Sequence, residues 1–425
     1  MFTKNLIPKR LLTAAMLLLM AVAADAQKKA ATTSNPNFLF LSDIHLNTAS
    51  QYTDYGSDTG LELWQNFLQK ADSVLGSTAS PNFIVYTGDL PAHYHCDPSC
   101  YLAPDQRQQH NQNLQTILAG LRDLATKHGK PLFYLPGNND GLAGDYYSFA
   151  DSLQQTPFVL VPENNNPYPA LNIQPGQGKA PCIVSNPQPK MGYYAARPIA
   201  GLRLICLNTV MYSHSFKPVD GSNKLTDGNL QMKWLGTQLA QAQKLGEKVY
   251  IAMHIPPGMD AYGNKPMWAD TANQTKTHWL NQFLTLTERY QASISGILYG
   301  HTHMDEVRRL YNRAGNKITT VAISCPGVTP QHSNNPGFKT VEYDPASKQL
   351  LNFTTYYTTP MATAWGSAQY SFKATYPGKT NATIYQRLAA LPFTTVANSM
   401  AQVFTVQNGP AGYPIQRGIE VKWGQ

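Results

Sequence analysis

Five short apolar segments of this chain each run straight into a residue that can hold a metal ion. No other feature constrains the fold as tightly. Phe38–Leu41 leads to Asp43-Ile44-His45, Phe83–Tyr86 to Gly88-Asp89, and Pro131–Leu135 to Gly137-Asn138-Asn139-Asp140. Lys248–Met253 is followed by His254, and Ile294–Tyr299 by Gly300-His301-Thr302-His303. Short runs rich in β-branched and aromatic residues, bounded by glycine and asparagine, read as strands. In α/β sheets ligands gather beyond the carboxyl ends of strands, so these five ends define one candidate site. The glycines let the backbone turn so that each ligand points back over the sheet edge.

Between the strands, apolar residues recur at helical spacing in Leu61–Leu75, Gln112–Thr126, Gln231–Gln243 and Thr277–Tyr290. Leu202–Leu207 adds another strand, and Ile318–Ser324, Thr340–Tyr343 and Leu351–Tyr357 follow with no helices between them. The expected fold class is α/β, with two facing β-sheets flanked by helices. Residues 164–189 and 255–270, rich in Asn, Pro and Gly, read as surface loops. The expected catalytic domain spans 34–360. Helical spacing in Ile384–Leu391 and Val396–Phe404 makes 361–425 a small C-terminal helical cap packed on it.

Residues 1–26 read as a signal peptide. Lys4, Lys9 and Arg10 precede the apolar run Leu11–Ala24, and Ala24-Asp25-Ala26 offers a cleavage site. That run is too short to span a bilayer, which takes about 20 residues, so no transmembrane anchor is expected. The reading is an exported protein, periplasmic or secreted. Cleavage removes three basic side chains and Asp25, lowering the net charge from +8 to +6. A modest positive excess favours anionic substrates. No Lys/Arg block is present, which argues against specific nucleic-acid binding. Cys96 and Cys100 are placed for a small disulfide loop or two free thiols, while Cys206 and Cys325 sit in or beside apolar strands and read as core.

Singly, each strand-end motif is weak, because a histidine after a strand is more often a hydrogen-bonded structural residue and Gly-Asp is usually a turn. Five in one order change that balance. Oxygens from Asp43, Asp89 and Asn138 with the imidazoles of His45, His254, His301 and His303 suit two divalent or trivalent metals. Zinc is the first choice, with iron or manganese as alternatives. The absence of a thiolate argues against a structural zinc site. Two such cations lower the pKa of a shared water toward about 7 and compensate charge on a phosphoryl group, so a bridging hydroxide can attack phosphorus in line.

The ordered set Asp-x-His, Gly-Asp, Gly-Asn-x-Asp, lone His and Gly-His-x-His resembles the calcineurin-like metallophosphoesterases. Tyr86-Thr-Gly-Asp-Leu-Pro-Ala-His93, His254-Ile-Pro-Pro-Gly258, Gly300-His-Thr-His-x-Asp-Glu306 and Asn335-Pro-Gly337 resemble the acid sphingomyelinase-like branch, which includes endopolyphosphatases. The resemblance implies one metal on Asp43, His45 and His303 and another on Asn138, His254 and His301, with Asp89 bridging.

Two departures bear on chemistry. Many members carry Gly-Asn-His, where this chain has Asn139, an amide that can donate a hydrogen bond but no proton. His93 is the candidate substitute acid, with an orienting role as the other reading. The short stretch ahead of Asp43 also leaves no room for a lipid-lifting saposin domain. Asn208, Tyr212 and His214 follow a strand end and are candidates to line the substrate pocket, or else are packing and turn residues. The expected activity is a phosphodiesterase acting on a small anionic ester: a nucleotide derivative, a phospholipid head group or polyphosphate. A phosphomonoesterase or polyphosphate hydrolase is the alternative, and a non-catalytic metal-dependent binding protein is a third reading.

Overall fold

A computed structural model describes residues 35–94, 104–149, 182–269 and 278–425. Along the chain the strands are β1 (Asn37–Leu41), β2 (Ile84–Tyr86), β3 (Leu132–Tyr134), β4 (Ile183–Gln188), β5 (Tyr193–Ile199), β6 (Leu202–Leu207) and β7 (Lys248–Met253). They continue as β8 (Ile294–Tyr299), β9 (Val307–Tyr311), β10 (Ile318–Ser324), β11 (Gly337–Tyr343), β12 (Leu350–Tyr357), β13 (Gln369–Ser371) and β14 (Glu420–Val421). The helices are α1 (Leu61–Leu75), α2 (Pro104–His128), α3 (Lys224–Leu245), α4 (His278–Arg289), α5 (Phe372–Thr375), α6 (Ile384–Ala390) and α7 (Phe393–Val403).

Two mixed sheets form. One has the order β13-β12-β11-β1-β2-β3, the other β14-β9-β10-β8-β7-β6-β5-β4. Strands β1, β2 and β3 run parallel, with Leu39 opposite Ile84 and Ile84 opposite Leu132. In the second sheet β6, β7, β8 and β10 are parallel. Parallel strands are covered on both faces, which is why these segments are apolar without alternation. The sheets face one another: the Phe38 ring lies 5.6 Å from that of Tyr250, and Tyr194 donates to the Tyr134 carbonyl at 2.8 Å. Gly296 is required at this interface because a Cβ there would stand 2.6 Å from Leu350 Cδ1.

Helix α1 buries Leu63, Trp64, Phe67, Ala71, Val74 and Leu75 along one stripe. Phe67 meets Phe338 of β11 edge-on at 5.5 Å; burying a side chain of that size stabilises by roughly 1.5–3 kcal/mol. Helix α3 starts at Lys224 because the Asn223 side chain accepts from Thr226 N at 3.0 Å, and it stops at Gly246 in the left-handed conformation. Helix α2 begins at Pro104, ahead of the expected Gln112; its first turns are polar and carry no apolar period, so the hydrophobic pattern marks only the later turns.

The structure departs from sequence expectation elsewhere. The end of the expected 164–189 loop is strand β4, paired with β5; residues 164–181 of that loop lie outside the described residues, as do residues 1–26, Cys96 and Cys100. Residues 36–425 pack as one unit, and the C-terminal segment adds β13 to one sheet and β14 to the other. Among the described residues no helix is long and apolar enough to cross a membrane.

Candidate metal centre

The backbone at three of the five strand ends, those of β1, β2 and β8, is unusual before any side chain is considered. Asp43, His45, Asp89, His301 and His303 all have positive φ, between +44° and +74°. Non-glycine residues are uncommon in that region, cost about 1–3 kcal/mol each, and cluster at functional sites. The glycines beside them serve a different purpose from the one expected. Only Gly88 turns with positive φ, at +94°. Gly137 and Gly300 are small because ligand-loop side chains lie against them: a Cβ at Gly137 would overlap Asp89 Oδ1, and one at Gly300 would overlap Ser42 Oγ, with Asp43 Oδ2 2.8 Å away.

The seven expected ligands are brought together. Asp89 Oδ2 lies 3.3 Å from His45 Nε2 and 3.2 Å from His254 Nε2. Asp43 Oδ1 stands 3.5 Å from His303 Nε2 and 3.9 Å from His45 Nε2. Asn138 Oδ1 is 3.0 Å from His254 Nε2, and the His301 ring meets His254 edge-on at 5.0 Å. The donor atoms of Asp89, His254 and His301 lie within 4.8 Å of one another, as do those of Asp43, His45 and Asp89. His93 joins His45 and His303 in a third such group, with its ring stacked on His45 at 3.9 Å.

Backbone carbonyls fix the imidazole tautomers. His45 Nδ1–H donates to Pro91 O at 3.0 Å and His254 Nδ1–H to Thr87 O at 2.7 Å. Each ring therefore turns its Nε2 lone pair toward the carboxylates, the orientation of a metal-ligating histidine. A lone pair beside a carboxylate is repulsive unless a cation or a proton lies between them. The electrostatics agree. Burial opposes charge on His254, yet Asp89 and Asp43 push its pKa up to about 9. His45 is likewise raised against burial by Asp43 and Asp89. Burial would raise Asp89, but the His254 and His45 charges hold it well below the ordinary carboxylate range. His301 and His303 are driven well down by burial and neighbouring imidazoles, which keeps them neutral and ready to ligate. His45 Nε2 and His303 Nδ1 are buried without hydrogen-bond partners. This donor set fits two borderline cations.

Neighbouring side chains brace the centre. Asp140 accepts from Asp89 N at 3.0 Å, Leu90 N at 2.7 Å, Gly137 N at 2.6 Å and Tyr134 Oη at 2.8 Å, locking the two ligand loops together. Burial and the Asp89 charge raise its pKa to about 6. Ser42 Oγ donates to Asp43 Oδ2. Asn139 donates to Asp89 through its backbone N at 2.8 Å and its Nδ2 at 3.0 Å. His93 is held by Asp58, which accepts from His93 Nδ1 at 2.7 Å and His93 N at 2.9 Å, and its side chain remains 29% exposed. Asp58, Asp145 and Tyr146 escaped sequence reasoning, since nothing local marks their contacts with His93, Asn138 and His301.

The three expected pocket residues are placed differently. Asn208 uses its backbone N on Gln231, its Nδ2 on Met191 O and its Oδ1 on Val210 N. Tyr212 is fully buried between Trp268 and Trp279, each about 5 Å away. Both are buried. His214 lies at a rim where Lys265 Nζ is 3.3 Å from its Nε2. The buried thiols of Cys206 and Cys325 are free.

Several known proteins are similar to this chain. The family model for calcineurin-like phosphoesterases matches residues 36–305. Sphingomyelinase phosphodiesterase D of Dictyostelium discoideum is 26% identical over 329 residues, covering 74% of this chain and 64% of that protein. The cyclic GMP-AMP phosphodiesterase SMPDL3A of Mus musculus is 32% identical over 176 residues, 40% of this chain and 37% of its own length. The matches thus span less than two thirds of either relative. A solved dimetal phosphatase from Danio rerio aligns with a TM-score of 0.46 at 15% identity, covering 78% of this chain and 100% of that one.

Proposed function

This chain belongs to the calcineurin-like phosphoesterase family, and from that premise we propose that it is an exported two-metal phosphodiesterase acting on a small anionic ester. The observation that carries the reading is Asp89, whose Oδ2 lies between His45 Nε2 at 3.3 Å and His254 Nε2 at 3.2 Å. Asp43, His45 and His303 would hold one cation, Asn138, His254 and His301 the other, with Asp89 shared; zinc suits the nitrogen-rich set best, iron or manganese next. When bound, the cations supply Lewis acidity, which ionises a water and screens the phosphoryl oxygens. The chain's own residues supply placement. The Asp58 carboxylate fixes the His93 ring so that its Nε2 is left for the leaving oxygen. Asn139 offers an amide N–H to the ester once Asp89 turns to the metals. The names of both relatives, each a phosphodiesterase, support diester over monoester.

A second reading, a phosphomonoesterase or polyphosphate hydrolase, is favoured by Asn139, since an ester with a good leaving group needs no acid. Zinc-, manganese- or iron-loaded protein is to be assayed on bis-p-nitrophenyl phosphate, p-nitrophenyl phosphate, sphingomyelin and polyphosphate. Turnover of the diester is expected. Turnover of the monoester or polyphosphate alone transfers the site to the second reading, and no turnover of any of them refutes both.

A further inference from the structure

We propose that the Tyr146 hydroxyl is a catalytic group of this centre, donating a hydrogen bond to a non-bridging phosphoryl oxygen on the Asn138, His254 and His301 side. The inference rests on the phosphoester-hydrolase reading above.

The backbone supplies the first observation. Tyr146 has φ of +61°, a conformation that bulky residues adopt only when the surroundings over-determine it. The restraints come from the ligand loop itself. Tyr146 N donates to the Asn138 carbonyl at 3.0 Å, and Lys217 N donates to the Tyr146 carbonyl at 2.9 Å. The preceding carboxylate, Asp145 Oδ1, accepts from Asn138 Nδ2 at 2.7 Å. One metal-ligand residue is therefore tied to this strip by both its main chain and its side chain.

The side chain supplies the second observation. The Tyr146 Oη lies 3.3 Å from His301 Nε2, and the two rings stand perpendicular with centroids 6.1 Å apart. Whichever His301 nitrogen takes the cation, the ring keeps no lone pair for a phenol: a ligating Nε2 has given it to the metal, and a ligating Nδ1 leaves Nε2 protonated, so the hydroxyl proton is left for an anionic oxygen over that cation. A fixed neutral donor beside developing negative charge is the arrangement that stabilises a phosphoryl-transfer transition state. The phenol keeps its proton throughout. Asn139, another side-chain donor facing the centre, has its amide on Asp89 Oδ2 at 3.0 Å, while Tyr146 stands beside His301.

The test is Tyr146→Phe in the full-length, metal-loaded protein, which keeps ring and backbone and removes one hydroxyl. The expected result is kcat/KM on bis-p-nitrophenyl phosphate lower by about tenfold to a hundredfold, mostly in kcat. Inorganic phosphate should bind about tenfold more weakly by calorimetry, while metal content and melting temperature hold. Tyr146→Asn, tolerated at positive φ, should show the same losses and serves if the Phe variant does not fold. Unchanged turnover and phosphate affinity overturn the proposal, as does a loss of turnover that only follows loss of metal. If the wild-type protein hydrolyses no phosphoester, the hydrolase reading fails on that result and the phosphate titration alone decides for or against Tyr146.

Discussion

Two of the buried charge clusters on the segment from Gly300 to Arg309 differ in kind. On one side stands the pair Asp305 and Lys339, both fully buried. Lys339 Nζ donates to Asp305 Oδ1 at 2.6 Å and to Ser324 O at 2.7 Å, and lies 4.0 Å from the Phe353 ring centre. Asp305 Oδ2 accepts from Thr355 at 2.8 Å and from Tyr370 at 2.7 Å. On the other side, His301 and His303 sit at positive φ, and His303 Nδ1 has no partner. Burial and charge are common to both. What marks the second cluster as a place for something else is unmet atoms on strained backbone. The first is closed, tying the C-terminal strand β13 to the core.

The comparison predicts that the open cluster governs activity and the closed one stability. The largest effect is expected from Asp89→Asn. Loss of the shared carboxylate should cut diester kcat/KM on the order of 10³-fold and lower metal content. Lys339→Met should do the reverse. It leaves the Asp305 carboxylate buried without its cation, so denaturant unfolding should show a loss of about 3–5 kcal/mol, while turnover per folded molecule stays near wild type. Adding Asp305→Leu should restore much of that stability. Collapse of turnover without loss of stability would break the comparison.

Acid sharpens it further. His110 in α2 is buried, its Nε2 faces the Asn139 carbonyl at 3.4 Å and its Nδ1 has no partner. Burial depresses its pKa to about 4. With the folded value below the unfolded one near 6.5, its contribution is present above pH 6.5 and is lost as pH falls through 4. The cost reaches roughly 3 kcal/mol. Unfolding free energies measured across that window should show this slope, and His110→Gln should flatten it. The smallest effect concerns the proton donor. Asn139→His should speed hydrolysis of a diester with a poor leaving group by about tenfold and leave p-nitrophenyl esters almost unaffected. Equal acceleration of both would show that position 139 does not act on the leaving oxygen.

The ligands were legible because each combines a strand signal, a turn and a metal-binding side chain within a few residues. What was illegible lay in long-range pairing. Val307-Arg-Arg-Leu-Tyr311 carries no strand period, yet it forms β9 between β10 and β14, where Arg309 is buried because it pairs with Glu420 of β14. Hydropathy cannot register an arginine whose charge is met by a residue far along the chain. Asp58 reaches His93 across helix α1 and strand β2, and Tyr146 depends on a backbone angle that its sequence does not announce. The glycines follow the same logic: the constraint is the space taken by the Asp89 carboxylate at Gly137 and by the Ser42 hydroxyl and Asp43 carboxylate at Gly300, which only the folded structure shows.

The most direct test of the central claim is metal content by mass spectrometry on purified full-length protein, read alongside diester hydrolysis before and after chelation. The account predicts two ions per chain, activity lost with the metals and regained when zinc, manganese or iron is returned, and fewer than two ions in Asp89→Asn. Wild-type protein that takes up no metal, or an Asp89→Asn variant that still holds two ions and hydrolyses the diester at the wild-type rate, would contradict it.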